Sequence, residues 1–448
     1  MSNWLDKIIA VLFFVVMAFA ALAHGAVEPW SVALVSATLV GLFLLWALKS
    51  VWEKSWTICV PAPAWPLAAL LVWGLCQSLG NLSLDGEATR AALLWLGLLL
   101  LAFILAATLL RPPDRLTLLG KFAVYFGLAL SLFAFLQQAT WQGKFYWLRA
   151  VDTQAITAPF GPFVHHGHYA GYVELLLPLP LAFLLLHPMR LEKKLLYGFA
   201  AALMGLSIIA SLARGGILSL AAQLIFLVIV GTRITRTRQV DWDFQPWSLR
   251  SWMLRSGAVL VVVLAILVGV FWLGVEPILN RVAQGQLAGS APGTETFFSN
   301  RGWIWRDTWT MFRAHPITGV GLGAFETAYP IYSQSNGSLT VNAAHNDYLQ
   351  LLAEGGVVAG LLLLWFLLAF VRLLARALRA TDSQAQALAL GLGTALVGLM
   401  VHSIFDFNLQ LPSHALLGLT MMAGVAQLAT QEAVATPEGI LEPNYFDL

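Results

Sequence analysis

Residues 343–366, AAHNDYLQLLAEGGVVAGLLLLWF, place the polar side chains His345, Asn346 and Asp347 directly before a long aliphatic run. A run of this kind crosses the hydrocarbon core of a bilayer, which takes about 20 apolar residues. Hydrophobic residues make up 59% of the chain and charged residues only 11%, and similar runs recur from end to end. The composition therefore excludes a soluble globular domain and predicts an all-α integral membrane protein.

Twelve membrane helices are predicted from runs of about 17 to 22 apolar residues. They cover residues 7–23, 30–48, 63–79, 91–110, 116–136, 169–186, 195–212, 216–231, 256–273, 348–370, 385–404 and 412–428. The run 63–79 begins within PAPAWP and is the weakest of the twelve, and without it every later helix would be inverted. We thus expect a transmembrane domain over 1–430, a polar cytoplasmic tail over 431–448, and two long connections, 137–168 and 274–346.

The distribution of lysine and arginine supports twelve helices with both chain ends in the cytoplasm. In that topology sixteen of the 25 basic residues fall in inner connections and eight in outer ones, with Lys121 inside a helix. Retention of Lys and Arg on the cytoplasmic side is the general rule. Both long connections then face the periplasm, and loops of such length in compact proteins are usually functional.

The larger loop contains FSNRGWIWRDTWTMFRAHP, residues 298–316, which predicts an amphipathic helix lying on the membrane surface. Ser299 or Asn300 is expected to cap this helix and Pro316 to end it. Arg301 would then lie at the helix start, where the helix dipole disfavours a cation, so it is a candidate functional residue. The following GVGLG, residues 319–323, lacks the strand and helix of a dinucleotide-binding motif and is interpreted as a turn.

Two further motifs lie at predicted helix ends. In ARGG, residues 213–216, the glycine pair permits a tight reversal, and Arg214 could either contact lipid headgroups or bind a phosphate. In HHGH, residues 165–168, no carboxylate or cysteine stands at ligand spacing, so we predict no metal. His168 and Tyr169 are instead expected to form hydrogen bonds where this loop meets the next helix.

The opening stretch also contains a candidate base. Asp347 is expected to cap the tenth membrane helix with Gln350 in a capping box, which places His345 just before the first turn. The positive end of the helix dipole disfavours imidazolium and attracts anions there. A neutral His345 can accept a proton, while Arg214 and Arg301 suit bidentate contacts to phosphate.

From about Trp303 to Gly360, this sequence resembles the bacterial O-antigen ligase and O-antigen polymerase superfamily. The family's outer His-Asn pair and its glycines are matched by His345, Asn346, Gly355, Gly356 and Gly360. GPFVHHGHYAGYVELLLPLPLA and SLARGGILSL are also similar to family blocks, so the resemblance extends over about 155–410. It implies a GT-C-like fold in the bacterial inner membrane with the active site facing the periplasm.

The resemblance further implies a metal-independent, inverting glycosyltransferase that needs no cofactor and no nucleic acid partner. The donor would be a glycan on undecaprenyl diphosphate, and the acceptor lipid A core or a second glycan. His345 would deprotonate the acceptor, and Arg214 and Arg301 would hold the diphosphate. Asn346 of the family pair is a candidate for substrate binding, as are the outer-loop residues His168, Tyr169 and Arg306.

Several functions remain open at this point. O-antigen ligation is favoured, but a polymerase that extends a lipid-linked glycan, or a transferase to protein, would use the same donor. A transporter of lipid-linked sugars would place ionisable groups near the middle of the bilayer and show repeated halves. A scaffold subunit of a polysaccharide machine would leave the outer arginines and histidine unexplained.

Overall fold

The computed structural model describes residues 2–150, 159–240, 297–334 and 340–435, which fold almost entirely into α-helices, as predicted. The helices are α1 Ser2–Leu22, α2 Pro29–Trp52, α3 Ala64–Leu79, α4 Gly86–Leu109, α5 Pro113–Ala139, α6 His166–Leu176, α7 Pro178–Leu186, α8 Leu191–Ala210, α9 Arg214–Val240, α10 Phe297–Ala314, α11 Phe325–Tyr332, α12 Asp347–Ala377, α13 Ser383–His402 and α14 Pro412–Ala435. A small antiparallel hairpin pairs β1 Lys144–Phe145 with β2 Arg149–Ala150, and a 3-10 turn covers Asn408–Gln410.

Nine helices in the described part of the chain are long and apolar enough to cross a membrane, with α6 and α7 together counted as one. The full set of twelve is not confirmed. The run 63–79 forms α3, whose 16 residues span about 24 Å and fall short of the hydrocarbon core. The run 412–428 lies in α14, which is not among the nine, and 256–273 lies outside the described residues. Helix α14 continues to Ala435, so residues 431–435 of the predicted tail are helical.

The centre of the bundle is formed by α6, α7 and α13. The α6–α7 segment is buried along its whole membrane-crossing stretch, and α13 packs mainly against α7 and α9. Small residues permit this close approach: a Cβ at Gly391 would lie 2.8 Å from Leu179 Cδ1, and one at Gly398 would lie 1.9 Å from the Gln223 amide. Close backbone packing of this kind is a main source of helix association in membranes.

Helix α12 is broken at Gly356, where φ is 67° and ψ is −166°. Residues 316–323, here called the glycine loop, enter the break and bond to the helix backbone on both sides. Val320 N–H donates to the Ala353 carbonyl at 2.9 Å, and Val357 N–H donates to the Pro316 carbonyl at 2.8 Å. The predicted turn at GVGLG is thus confirmed, and it also supplies partners for backbone groups that the helix break leaves unpaired.

Gln77 of α3 joins the glycine loop to α12. Its amide nitrogen donates to the Thr318 carbonyl at 2.6 Å and to the Glu354 carbonyl at 2.9 Å, and its oxygen accepts from Leu322 N–H at 3.1 Å. The side chain is fully buried, so each of these bonds replaces water that is absent there. The short helix α3 therefore serves as a brace that fixes the entrance to α12.

Helix α10 begins at Phe297 and ends at Ala314, so it starts before the expected caps Ser299 and Asn300 and ends two residues before Pro316. The Trp305 ring N–H donates to the Ala344 carbonyl at 3.0 Å. Trp309, one turn further along the helix, is 46% exposed. The helix is therefore held directly against the segment that precedes α12, which brings the large loop to the start of that helix.

Candidate functional site

A polar cavity of about 250 Å³ lies where the first residues of α6 and α9, helix α10 and the connection after α13 meet. It is lined by His165, His166, Gly167, Leu212, Ala213, Arg214, Gly215, Arg301, His402, Phe405 and Asp406. The two arginines that the sequence singled out are thus brought into one cavity although they are 87 positions apart in the chain.

His345 lies at the edge of this cavity and is paired with one of its lining residues. Its Nδ1 lies 3.2 Å from Asp406 Oδ1, and its ring meets Phe407 edge-on at 5.0 Å. The side chain is 28% exposed, so the ring is not enclosed by its neighbours. The backbone of His345 has φ 49°, a left-handed conformation that is uncommon outside glycine and costs about 1–3 kcal/mol.

The start of α12 is capped by Asn346 rather than by Asp347, which corrects the expected capping box. Asn346 Oδ1 accepts from Leu349 N–H at 3.0 Å. The predicted partner Gln350 instead accepts from Ala344 N–H at 2.9 Å and thereby holds the residue before His345. The sequence offered Asn and Asp in succession, and both are good caps, so only the backbone geometry decides between them.

Asp347 instead fixes the connection between α13 and α14. Its N–H donates to the Ser403 carbonyl at 2.9 Å, and its carboxylate accepts from Leu409 N–H at 3.0 Å. These bonds hold both ends of residues 403–409 against the start of α12. Asp406 lies midway along that connection and is in this way placed beside His345.

Asp406 is buried and ionised. Burial opposes its charge, but the hydrogen bond from His345 and the nearby charges of His168, His402 and Arg301 outweigh that effect and hold the pKa of Asp406 well below the ordinary 3.8. Phe407 N–H adds a bond to Oδ1 at 3.0 Å. A carboxylate fixed on Nδ1 keeps the proton on that nitrogen and leaves Nε2 of His345 as the acceptor.

Arg214 is the first residue of α9, and Arg301 lies in the second turn of α10. Arg301 donates from a terminal guanidinium nitrogen to the Phe405 carbonyl, one residue before Asp406. The chain reverses at Leu212, which has φ 58°, and not at the Gly215–Gly216 pair as expected. Those glycines belong to the first turn of α9.

The fold places a carboxylate beside the histidine cluster, although the sequence has none at ligand spacing. Donor atoms of His165, His168 and Asp406 all lie within 4.8 Å of one another, a set that could hold a metal ion. His165 Nδ1 is engaged with Gly167 N–H at 3.1 Å, and burial lowers the pKa of His165. Two arginines share the same cavity and repel a cation, so the absence of a metal stays our prediction.

The remaining candidates for substrate binding lie around the cavity rather than in its lining. His168 meets Phe407 edge-on at 5.0 Å, and its backbone carbonyl accepts from His414 at 2.8 Å. Tyr169 is fully buried against Phe160. Arg306 stacks over Trp303 at 4.7 Å and donates to Gln334 at 2.8 Å. Asn346 serves as the helix cap described above.

Three polar residues of the site escaped sequence reasoning: Glu174, His402 and Asp406. Glu174 in α6 and His402 at the end of α13 are buried, with His402 Nδ1 3.0 Å from Glu174 Oε2. Glu174 is visible in the sequence as a carboxylate within a predicted membrane helix, where ionisable residues are usually functional, but it was not predicted as a site residue. Asp406 has no such signal, because it lies in a short connection between two helices.

The fold and the cavity define a multi-span membrane protein with a site of arginines, histidines and carboxylates at one end of its helices. Residues 199–364 match the family described as O-antigen ligase, Wzy_C. This protein therefore carries an O-antigen ligase family domain, which confirms the resemblance drawn from its motifs. No curated protein matched the chain. Arg214, Arg301 and His345 lie inside the matched range, whereas Glu174, His402 and Asp406 lie outside it.

Proposed function

We propose that this protein transfers a glycan from undecaprenyl diphosphate to an acceptor hydroxyl at the periplasmic face of the inner membrane, with lipid A core as acceptor. The family supports transfer from a lipid-linked donor of the ligase or polymerase kind. The observation that carries the proposal for this chain is the polar cavity, in which Arg214 and Arg301 lie together beside the His345–Asp406 pair.

His345 is the proposed base. With Asp406 holding Nδ1, Nε2 can accept the proton of the attacking hydroxyl, and the ionised Asp406 stabilises the imidazolium that forms. The partial exposure of the ring leaves room for an acceptor to approach it. A histidine oriented by a buried carboxylate is a general solution for activating a hydroxyl nucleophile.

Arg214 and Arg301 are the proposed ligands of the donor diphosphate. Their guanidinium groups match phosphate oxygens in bidentate geometry and remain charged throughout the reaction. Positive charge fixed where the leaving diphosphate gains negative charge lowers the barrier to departure. Attack by the hydroxyl from the face opposite the diphosphate then inverts the anomeric carbon, with no step that requires a metal.

A neighbouring apolar cavity of about 230 Å³ suits the isoprenoid chain of the donor. It lies between α3, α12, α13 and α14, and its wall includes Leu67, Tyr348, Phe366, Met400 and Leu409. Leu409 belongs to the same connection as Asp406, so the apolar and polar cavities are adjacent through residues 403–409. A lipid diphosphate needs this combination of an apolar channel and a cationic end.

A polymerase is the alternative within the same chemistry, and a transporter is less well supported. Of the ionisable groups inside membrane spans, Glu354 accepts from Gln350 at 3.0 Å and from Gly323 N–H at 2.8 Å. Those bonds assign Glu354 to the α12 break and not to a transport path. Lys121 is exposed on α5, away from the cavity lining.

The proposal is tested with purified protein, undecaprenyl-diphosphate glycan and rough-type lipopolysaccharide, with wild type beside His345→Ala and His187→Ala. His187 lies at the far end of α7 and serves as the matched histidine control. Loss of the base should lower turnover by about 10²–10⁴-fold. Glycan found by mass spectrometry on lipid A core supports ligation, whereas a longer glycan on undecaprenyl diphosphate would identify a polymerase. Full activity of His345→Ala would refute the proposed site.

A further inference from the structure

The polar cavity has a second histidine–carboxylate pair that the proposed reaction leaves unused. His402 Nδ1 lies 3.0 Å from Glu174 Oε2, and these side chains are 1% and 0% exposed. The pair is contributed by α6 and α13, which belong to the two most buried of the nine candidate membrane spans. Its member His402 lines the cavity together with Asp406, the partner of His345.

The free nitrogen of His402 faces the cavity. Since Nδ1 is engaged with Glu174, Nε2 is the atom left for a ligand. A Cβ built on Gly215 would lie 2.8 Å from His402 Nε2, and Gly215 lines the cavity beside Arg214. His402 Nε2 is therefore located next to the first turn of α9, on the same wall as the Arg214 backbone.

The glycine pair of ARGG is explained by this arrangement. A side chain at Gly215 would press on His402, and one at Gly216 would lie 2.9 Å from Glu174 Oε1. The start of α9 can approach the Glu174–His402 pair only because neither position has a side chain. The tight contact brings Arg214 and the histidine to one region of the cavity.

Glu174 has few partners for a buried carboxylate. Its Oε1 has no hydrogen-bond donor among the described residues, and the neighbouring Ser219 hydroxyl donates to the Gly398 carbonyl at 2.6 Å. A carboxylate in this position is strongly disfavoured unless it shares a proton with His402. The proton held by the pair makes His402 Nε2 a donor directed into the cavity.

The Glu174–His402 pair also affects the net charge of the cavity. Arg214, Arg301 and Asp406 line the cavity, and His165 and His168 stand nearby at the start of α6. Glu174 lies behind the lining residue His402. His345 must be neutral to act as a base. The proton shared by Glu174 and His402 therefore cancels the charge of Glu174, which leaves the cavity with net positive charge for an anion.

We propose that His402, held by Glu174, is a third ligand of the donor diphosphate and donates from Nε2 to a phosphate oxygen beside Arg214. This inference rests on the proposed function. His402 would contact the substrate directly, whereas Glu174 acts only through His402 and is a positioning residue. A hydrogen bond to a charged group contributes enough that its loss weakens binding by roughly 10- to 100-fold.

The test measures binding of farnesyl diphosphate, with farnesol as the control for the isoprenoid chain, to the purified full-length protein by calorimetry. We expect His402→Phe and Glu174→Gln to weaken farnesyl diphosphate binding at least tenfold and to leave farnesol binding unchanged. His187→Gln, at the opposite end of α7, should match wild type. If His402→Phe does not fold, His402→Gln takes its place in the test, because glutamine keeps a hydrogen-bond donor for Glu174 but carries no charge.

A double-variant cycle separates ligand binding from a purely structural role. Because Glu174 acts through His402, Glu174→Gln should add no further loss in the His402→Gln background. Normal diphosphate binding by the folded His402 variants, with Arg214→Lys impaired, would overturn this inference and leave the proposed function intact. No binding of farnesyl diphosphate by wild type would overturn both. Equal losses for farnesol and farnesyl diphosphate would indicate disturbed packing and also refute the third-ligand assignment.

Discussion

Substitution of Gly356 by alanine should distinguish the contribution of the α12 break to stability from that of ordinary helix packing. The backbone at Gly356 has φ 67° and ψ −166°, a region available essentially to glycine alone, so alanine costs about 1–3 kcal/mol there. The added Cβ would lie 2.1 Å from the Ile317 carbonyl oxygen and 2.4 Å from its carbon. These are backbone atoms, which cannot rotate away, so the glycine loop must be displaced.

Displacement of the glycine loop removes hydrogen bonds in addition to the strain. Val357 N–H bonds to the Pro316 carbonyl, and Val320 and Gly321 N–H bond to the Ala353 and Glu354 carbonyls. At about 0.5–1.5 kcal/mol each, loss of two of them adds about 1–3 kcal/mol. We therefore expect a total destabilisation of about 2–6 kcal/mol. That total is large for a single substitution.

Thermal unfolding of the detergent-purified protein, followed by tryptophan fluorescence, measures this effect. Gly360→Ala is the matched control on the same helix, because its Cβ would meet only the mobile end of Leu352. Gly97→Ala in α4 is a second control, with no described atom within 4 Å of the new Cβ. An apparent melting temperature of Gly356→Ala equal to that of the two controls would refute the account of the break.

Three further substitutions test the site. Arg214→Lys should impair transfer severely, because an ammonium cannot form the bidentate contact, and a near-normal donor KM would remove Arg214 from the diphosphate site. Asn346→Ala should lower the unfolding free energy by about 1 kcal/mol through loss of the α12 cap, measurable by thermal unfolding; no change would mean that Asn346 is not the cap. Asp406→Asn should be less stable than wild type above pH 3.8, and the difference should shrink as pH falls further, because the stabilising carboxylate has a lowered pKa and protonates only there. A stability difference independent of pH would contradict that ionised state.

The sequence predicted the helices of this site better than the contacts between them. The change from polar to aliphatic residues after His345 located the start of α12 correctly, since α12 begins at Asp347. The break at Gly356 could not be predicted, because Gly355–Gly356 stand within an apolar run that is compatible with an unbroken helix. Only the glycine loop, 33 to 40 positions earlier, supplies the hydrogen bonds that make the break stable.

The polar partners of the predicted residues were harder to predict for a physical reason. His345 and Asp406 are 61 positions apart, and Glu174 and His402 are 228 apart. No local pattern couples residues at such separations, because the pairing depends on which helix ends lie together. Arginine and histidine at predicted helix ends were visible as isolated candidates, whereas the carboxylates that orient the histidines became visible only with the fold.

The two histidine–carboxylate pairs also account for the way the polar cavity is built into an apolar bundle. His345 lies inside the family match and its partner Asp406 lies outside it, whereas His402 and Glu174 both lie outside it. Asp347 holds the Asp406 connection, and the glycines after Arg214 admit α9 to the Glu174–His402 pair. The chemistry therefore depends on helix-end contacts far from one another in sequence. A displaced connection after α13 would separate His345 from its carboxylate while leaving every membrane helix in place.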